Sequence, residues 1–145
     1  MDPVPVPPPN KITVLIADDH SHVREGLCVL LAQEADLEVV GEAENGHQAV
    51  ALASTLCPDV IIMDISMPLL DGLAATLEIL YTTSNCRILV LSSHGDESYI
   101  QQVLALGVSG YLLKEGAAKV LPSAVRAVHS RSASFWLNPP PLASG

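Results

Sequence analysis

Residues 12–19 read ITVLIADD, and residues 59–64 read DVIIMD. Both are short apolar runs that lack a period-two alternation and close on aspartate. Strands covered on both faces read this way, which points to a parallel sheet between helical layers. RILVLSS at 87–93 and SGYLLK at 109–114 repeat the pattern, with Ser92 and Lys114 as the closing polar groups. Together with LEVVGEA at 37–43, the expected strands are 12–17, 37–43, 59–63, 87–91 and 109–113.

Helical spacing fills the intervals. Val23, Leu27, Leu30 and Leu31 make one apolar stripe after Ser21, and Ala49, Leu52, Ala53 and Leu56 make another after Gly46. Asp71 is placed to cap a helix through Leu73, Leu77 and Leu80, and Asp96 to cap one carrying Ile100, Val103 and Leu104. A last helix over 118–129 turns Leu121, Val125 and Val128 inward and holds Pro122 in its first turns, where a missing N–H does least harm. Strand–helix alternation with short links predicts a doubly wound α/β fold, although periodicity does not give the strand order. In such sheets ligands bind beyond the carboxyl ends of the strands. Asp18, Asp19, Asp64, Ser92 and Lys114 all fall there.

The chain of 145 residues suits one domain. With 49% hydrophobic and 3% aromatic residues, its core has to be built from Val, Ile, Leu and Ala. Seven Lys+Arg against sixteen Asp+Glu, a net charge of −9, argue against a nucleic-acid-binding surface. Cys28, Cys57 and Cys86 form no CxxC pair and are expected as buried free thiols in a reducing cytoplasm. Residues 1–10 contain five prolines and no apolar core of a signal peptide, so a disordered lead-in is expected. No run approaches the ~20 apolar residues that span a bilayer. Residues 131–145 read as a linker-like tail, in which Phe135 and Trp136 can pack back onto the domain.

If the carboxyl ends of the first, third and fifth strands meet, Asp18, Asp19 and Asp64 converge. Two carboxylates about 4 Å apart repel by roughly 4 kcal/mol at an effective dielectric near 20. Such a cluster needs protons or a cation, and hard carboxylate oxygens select Mg²⁺ or Mn²⁺. Lys114 offers a point charge to a phosphate oxygen, and Ser92 a hydrogen bond. An aspartate is a competent nucleophile toward phosphoryl groups, whose transfer needs positioning and charge neutralisation. A lone aspartate after a strand is ordinarily a turn or cap. The joint occurrence of these groups in this order points to a phosphate site. A nucleotide-binding enzyme would place a Gly-rich loop after the first strand, where DDHSH stands. A haloacid-dehalogenase-type phosphatase would place a second Asp where Ser66 stands.

VLIADDHSHVREGL, PDVIIMDISMPLLDG, ILVLSSHGDESYI and LALGVSGYLLKE resemble the receiver domains of two-component response regulators, closest to the NarL/FixJ branch. The resemblance covers about residues 11–130 and implies a five-stranded (βα)5 fold of order 2-1-3-4-5, which is the order of the receiver named in the general rule for doubly wound sheets. It implies that Asp64 is the phosphoacceptor, catalysing its own phosphorylation and slow autodephosphorylation. Asp18, Asp19, Asp64 and the backbone carbonyl of Ser66 become the Mg²⁺ site, Asp19 as a direct ligand and Asp18 holding the metal's water, and Lys114 and Ser92 become the phosphoryl contacts. Ser92 and Tyr111 become the switch pair, with Ser92 drawn inward and Tyr111 filling the space behind it. Ser66 and His94 fall where family side chains tune phosphoryl lifetime. The implied partners are a sensor histidine kinase, docking near His22, Arg24 and Glu25, and a second copy on phosphorylation. Glu115 stands where many receivers have proline after the lysine, so a trans bond is expected there. The branch usually carries a helix-turn-helix output domain, and no basic recognition helix occurs here. This chain is therefore expected to bind no DNA by itself, as a piece of a longer transcription regulator or a stand-alone receiver. The alternative is a pseudo-receiver that binds partners without phosphorylation, although no member of the acidic pair, the acceptor or the lysine is missing.

Overall fold

β1 (Ile12–Ala17) sends Val14 and Ile16 to one face of a sheet and Leu15 and Ala17 to the other, and all four are buried. The same division runs through β3 (Val60–Asp64), β4 (Arg87–Ser92) and β5 (Gly110–Leu113), so both faces are apolar and both need a helical layer. α1 (Ser21–Ala32) and α4 (Ala117–Ser130) cover one face with Leu27, Leu31, Leu121, Val125 and Val128. α2 (Gly46–Leu56) and α3 (Gly72–Thr82) cover the other with Ala49, Ala53, Ala75 and Ile79. Small residues on α2 and α3 let these helices lie close to the sheet.

The computed structural model describes residues 11–65, 67, 72–83, 85–92, 105, 107–130 and 135–136, the last pair as backbone. Within them the strands are parallel and ordered β2-β1-β3-β4-β5-β6, where β2 is Leu37–Ala43 and β6 is Phe135–Trp136. The first five follow the order 2-1-3-4-5. β6 adds two residues to the edge, pairing Gly110 with Phe135 and Tyr111 with Trp136, so the sheet takes up part of the expected tail. The order reverses at β1, which puts the crevice of a doubly wound sheet at the carboxyl ends of β1 and β3. The expected lead-in 1–10, the Asp71 cap, the Asp96 cap with its Ile100, Val103 and Leu104 stripe, Ser66, His94 and the tail beyond 136 lie outside the described residues.

Several helix faces differ from the periodic reading. Leu56 and Leu77 are exposed at 36% and 56%, because the inward positions go to Gly46, Ala49 and Ala53 on α2 and to Gly72, Ala75, Thr76 and Ile79 on α3. Val23 is also exposed, and Arg24 takes the inward place on α1. Cys57 is exposed rather than buried, in a left-handed conformation at φ 46° that closes α2. Cys28 is half-buried and Cys86 buried, and burial pushes both thiols up to about 11. Among the described residues all peptide bonds are trans, including that of Glu115.

β3 begins at Val60 and not at Asp59, for a reason visible in its contacts. Thr13 of β1 donates to Asp59 Oδ2 from its backbone N–H (2.9 Å) and from Oγ1 (3.1 Å), and Thr13 Oγ1 accepts the Asp59 N–H at 2.9 Å. The Asp59 carbonyl accepts Arg87 N–H at 3.1 Å. Asp59 thus ties three adjacent strands at the end of the sheet far from Asp64 and pins their register. Asp59→Ala should lower the unfolding free energy by about 1–3 kcal/mol, the cost of leaving half-buried donors without an acceptor. A shifted urea midpoint with an unchanged slope checks this.

Candidate functional site

The chain leaves β1 through Asp18, which is fully buried. Asp18 Oδ1 accepts the His20 backbone N–H at 2.8 Å, and that local turn feeds α1. One turn further on, Arg24 Nη1 donates to the Asp18 carbonyl at 2.7 Å and Nε to Glu42 Oε1 at 3.0 Å. Arg24 therefore holds the backbone of the acidic loop and is not part of the outer surface with His22 and Glu25. A guanidinium can occupy an inward position when acceptors meet its fork, and the Asp18 carbonyl and Glu42 are those acceptors.

Asp64 is the last residue of β3 and is also fully buried. The start of α3 presses on it from behind. A Cβ added to Gly72 would lie 2.3 Å from the Asp64 carbonyl oxygen and 2.4 Å from Ile65 Cα, both backbone atoms. Lys114 follows β5, and its amide donates to the Ser92 carbonyl at 2.8 Å, so the end of β4 fixes where the side chain starts. Lys114 Nζ lies 2.8 Å from Asp64 Oδ2 and 3.5 Å from Asp18 Oδ2.

Burial raises the Asp18 pKa above its ordinary value. The hydrogen bond from the His20 amide opposes this, the charge of Asp64 adds to it, and Lys114 opposes it. Burial alone would lower the Lys114 pKa, but the hydrogen bond to Asp64 and the charges of Asp64 and Asp18 more than offset it, leaving a net rise. Asp18 Oδ2 and Asp19 Oδ1 are buried and accept no hydrogen bond from the described residues. Ligand atoms of Asp18, Asp19, His20 and Asp64 all lie within 4.8 Å of one another. Buried acceptors without donors, clustered and mostly carboxylate, fit a hard divalent cation.

Ser92 ends β4 fully buried, and its Oγ donates to Tyr111 Oη at 2.9 Å. Tyr111 is 2% exposed, so the aromatic already sits inside. The structure thus gathers Asp18, Asp19, Asp64 and Lys114 in one pocket and joins Ser92 to Tyr111 beside it. Gly72, Arg24 and His20 also belong to this site, beyond the residues that the sequence pattern marks. Gly72 was readable as a helix start after Asp71, and His20 as the neighbour of two aspartates. Their contacts with the site are through space and leave no sequence pattern.

Residues 14–126 match the sequence profile of the response regulator receiver domain. The chain belongs to the response regulator receiver family. The transcriptional regulatory protein DegU of Brevibacillus brevis is 48% identical over 119 residues, 82% of this chain and 50% of that protein. LiaR of Bacillus subtilis is 43% identical over 116 residues, 80% of this chain and 55% of that protein. The receiver thus spans about half the length of the curated relatives it matches. The signal receiver domain of the putative response regulator NarL from Mycobacterium tuberculosis superposes with a TM-score of 0.79 at 32% identity, covering 84% of this chain and 98% of that one.

Two outcomes follow from the receiver's charge balance and packing. In metal-free buffer at neutral pH, Asp18→Asn should be more stable than the parent. Folded Asp18 keeps its proton to a higher pH than the unfolded side chain, whose ordinary value is 3.8, so its ionisation opposes folding only above that range. The gain should therefore vanish as pH falls below 3.8, which urea midpoints on either side of that value would show. Gly72→Ala should destabilise by about 3 kcal/mol in the same measurement, since backbone has to shift to admit one methyl group.

Proposed function

We propose that this receiver accepts a phosphoryl group on Asp64 from the phosphohistidine of a sensor histidine kinase. The observation that carries the reading is the buried Asp64 carboxylate held 2.8 Å from Lys114 Nζ, with two unsatisfied carboxylate oxygens, Asp18 Oδ2 and Asp19 Oδ1, in the same pocket. Asp18, Asp19 and Asp64 would hold Mg²⁺, with Mn²⁺ as a substitute, and the Ser66 carbonyl completes the set by family resemblance. When bound, the ion supplies charge neutralisation for phosphoryl oxygens.

The reaction needs little from the protein beyond position and charge. An Asp64 oxygen forms the new bond to phosphorus while the P–N bond of the donor imidazole breaks, and the leaving nitrogen keeps the electron pair, so that a ring already protonated on its other nitrogen departs as neutral imidazole. The Lys114 ammonium passes from the carboxylate to a phosphoryl oxygen. Ser92 has one O–H, and it now goes to Tyr111 Oη. A phosphoryl oxygen on Asp64 competes for that same proton, which converts a local charge change into a rearrangement of a buried aromatic. Ser66 and His94 are assigned to the lifetime of the phosphoryl group by position in the sequence.

A groove of about 330 Å³ opens beside Lys114, lined by His22, Val23, Gly26, Leu30 and Ala118. It is the docking place assigned to the kinase: of the expected His22, Arg24 and Glu25, His22 lines it, and Val23 joins His22 there while Arg24 turns inward. The output is transcription control, as the names of the relatives suggest, and family resemblance adds a DNA-binding domain and dimerisation on phosphorylation. The functional unit spans 11–130 in the cytoplasm. No helix among the described residues is long and apolar enough to cross a membrane.

Acetyl phosphate with Mg²⁺ should add one phosphoryl group by intact-mass measurement, and Asp64→Ala should add none. Lys114→Ala should slow the reaction on the order of 10²-fold through lost charge stabilisation. An unmodified parent chain, under conditions that modify a control receiver, overturns the proposal in favour of a phosphorylation-independent module.

A further inference from the structure

The acidic pocket contains a nitrogen donor that the phosphotransfer reaction does not use. His20 Nδ1 lies 3.3 Å from Asp18 Oδ1 and 3.2 Å from Asp19 Oδ1. The ring is 60% exposed, while the Asp18 side chain beneath it is 1% exposed. The ring's placement follows from the backbone. His20 is the residue before α1, at φ −92° and ψ 108°, and its amide is bonded to Asp18 Oδ1 at 2.8 Å. That bond ties the residue over the two carboxylates. Asp18 Oδ2 is buried and takes no hydrogen bond among the described residues, with the shared Lys114 ammonium at 3.5 Å, which independently marks the space beneath as short of donors.

We infer that His20 makes this pocket a mixed oxygen–nitrogen site, which takes an imidazole-accepting transition-metal ion as well as Mg²⁺. The inference rests on the reading of the pocket as a metal site. A cation held by Asp18, Asp19 and Asp64 lies within reach of Nδ1, since all four ligand atoms are within 4.8 Å of one another. Mg²⁺ is bound through oxygen, keeps several waters and gains little from an imidazole. Ni²⁺ and Zn²⁺ bind imidazole well and stand above the hard cations in affinity for a mixed site. For Mg²⁺ the exposed ring can move toward solvent, and for the softer ions it becomes a ligand. His20 therefore sets which divalent ion the receiver holds, separately from whether Asp64 can be phosphorylated.

The test titrates the full chain with Ni²⁺ alone and with Mg²⁺ alone by calorimetry. Other histidines and the thiols also bind Ni²⁺, so the relevant event is the one lost in Asp19→Ala. In His20→Ala the Ni²⁺ dissociation constant of that event should rise at least tenfold, and that for Mg²⁺ should change less than threefold. Ring resonances of His20, identified by their absence in His20→Ala, should broaden at substoichiometric Ni²⁺ in the parent and not in Asp19→Ala. Equal weakening of both ions, or no change for Ni²⁺, would overturn the role of His20. Unchanged affinity for both ions in Asp19→Ala would overturn the metal-site reading itself.

Discussion

Asp18 and Asp64 are both fully buried at the end of the sheet, and the ammonium of Lys114 sits between them at 3.5 and 2.8 Å. At such distances each pair interaction is on the order of 4 kcal/mol at an effective dielectric near 20. One ammonium can answer two carboxylates, because two attractions stand against one repulsion. A third carboxylate removes that margin, and Asp19 has the neighbouring His20 ring at 3.2 Å. The pocket therefore stays biased toward a cation or a proton, and the rest of the fold holds it in that condition. Arg24 fixes the Asp18 carbonyl, and the end of β4 fixes the Lys114 amide.

Ser92 links this charged centre to the neighbouring strand in two ways. Its carbonyl accepts the Lys114 amide at 2.8 Å, and its hydroxyl donates to Tyr111 at 2.9 Å. One residue thus contacts both the residue that compensates Asp64 and the aromatic that fills the core next to it. Any group added to Asp64 that draws on Lys114 or on the Ser92 hydroxyl perturbs the polar contacts of β5 at both of these places. Coupling of this kind needs no long path, since β4 and β5 are adjacent in register from Leu89–Gly110 to Ser92–Leu113.

The layered fold was legible because the strand runs lack alternation, and lack it for a physical reason: each is covered on both faces. Strand order was not, since periodicity describes one element at a time, and it came from family resemblance. Strand ends shifted by one residue where hydrogen bonds decide them. Asp64 and Ser92 stay in the sheet through pairing with Leu91 and Leu113, while Asp59 leaves it to bind Thr13. Helix faces depart from the apolar stripes where small residues take the inward turn, leaving Leu56 and Leu77 outside, or where a polar side chain finds acceptors inside. Nothing in the spacing of Val23 and Arg24 says that a carbonyl and a carboxylate wait for the guanidinium. Within the site, Asp18, Asp64 and Lys114 were readable because each ends a strand run. Gly72 acts through the atoms it lacks, and His20 through a turn, and neither leaves a periodic trace.

Gly72 also gives the site a direction. Backbone atoms of residues 64 and 65 lie where its Cβ would be, so Asp64 backs onto tightly packed peptide and cannot recede toward α3. Beneath it, β1 and β4 flank β3 in register and leave no room in the plane of the sheet. What can yield, among the described residues, is the side that carries side-chain contacts: the Lys114 ammonium, the Ser92–Tyr111 pair and the exposed His20 ring. A group added to Asp64 meets a fixed wall behind and exchangeable polar partners in front. Interiors packed to crystal-like density transmit such a change as discrete side-chain rearrangement and do not absorb it as strain. The rigidity behind Asp64 is thus as necessary to a switch as the mobility of the partners ahead of it.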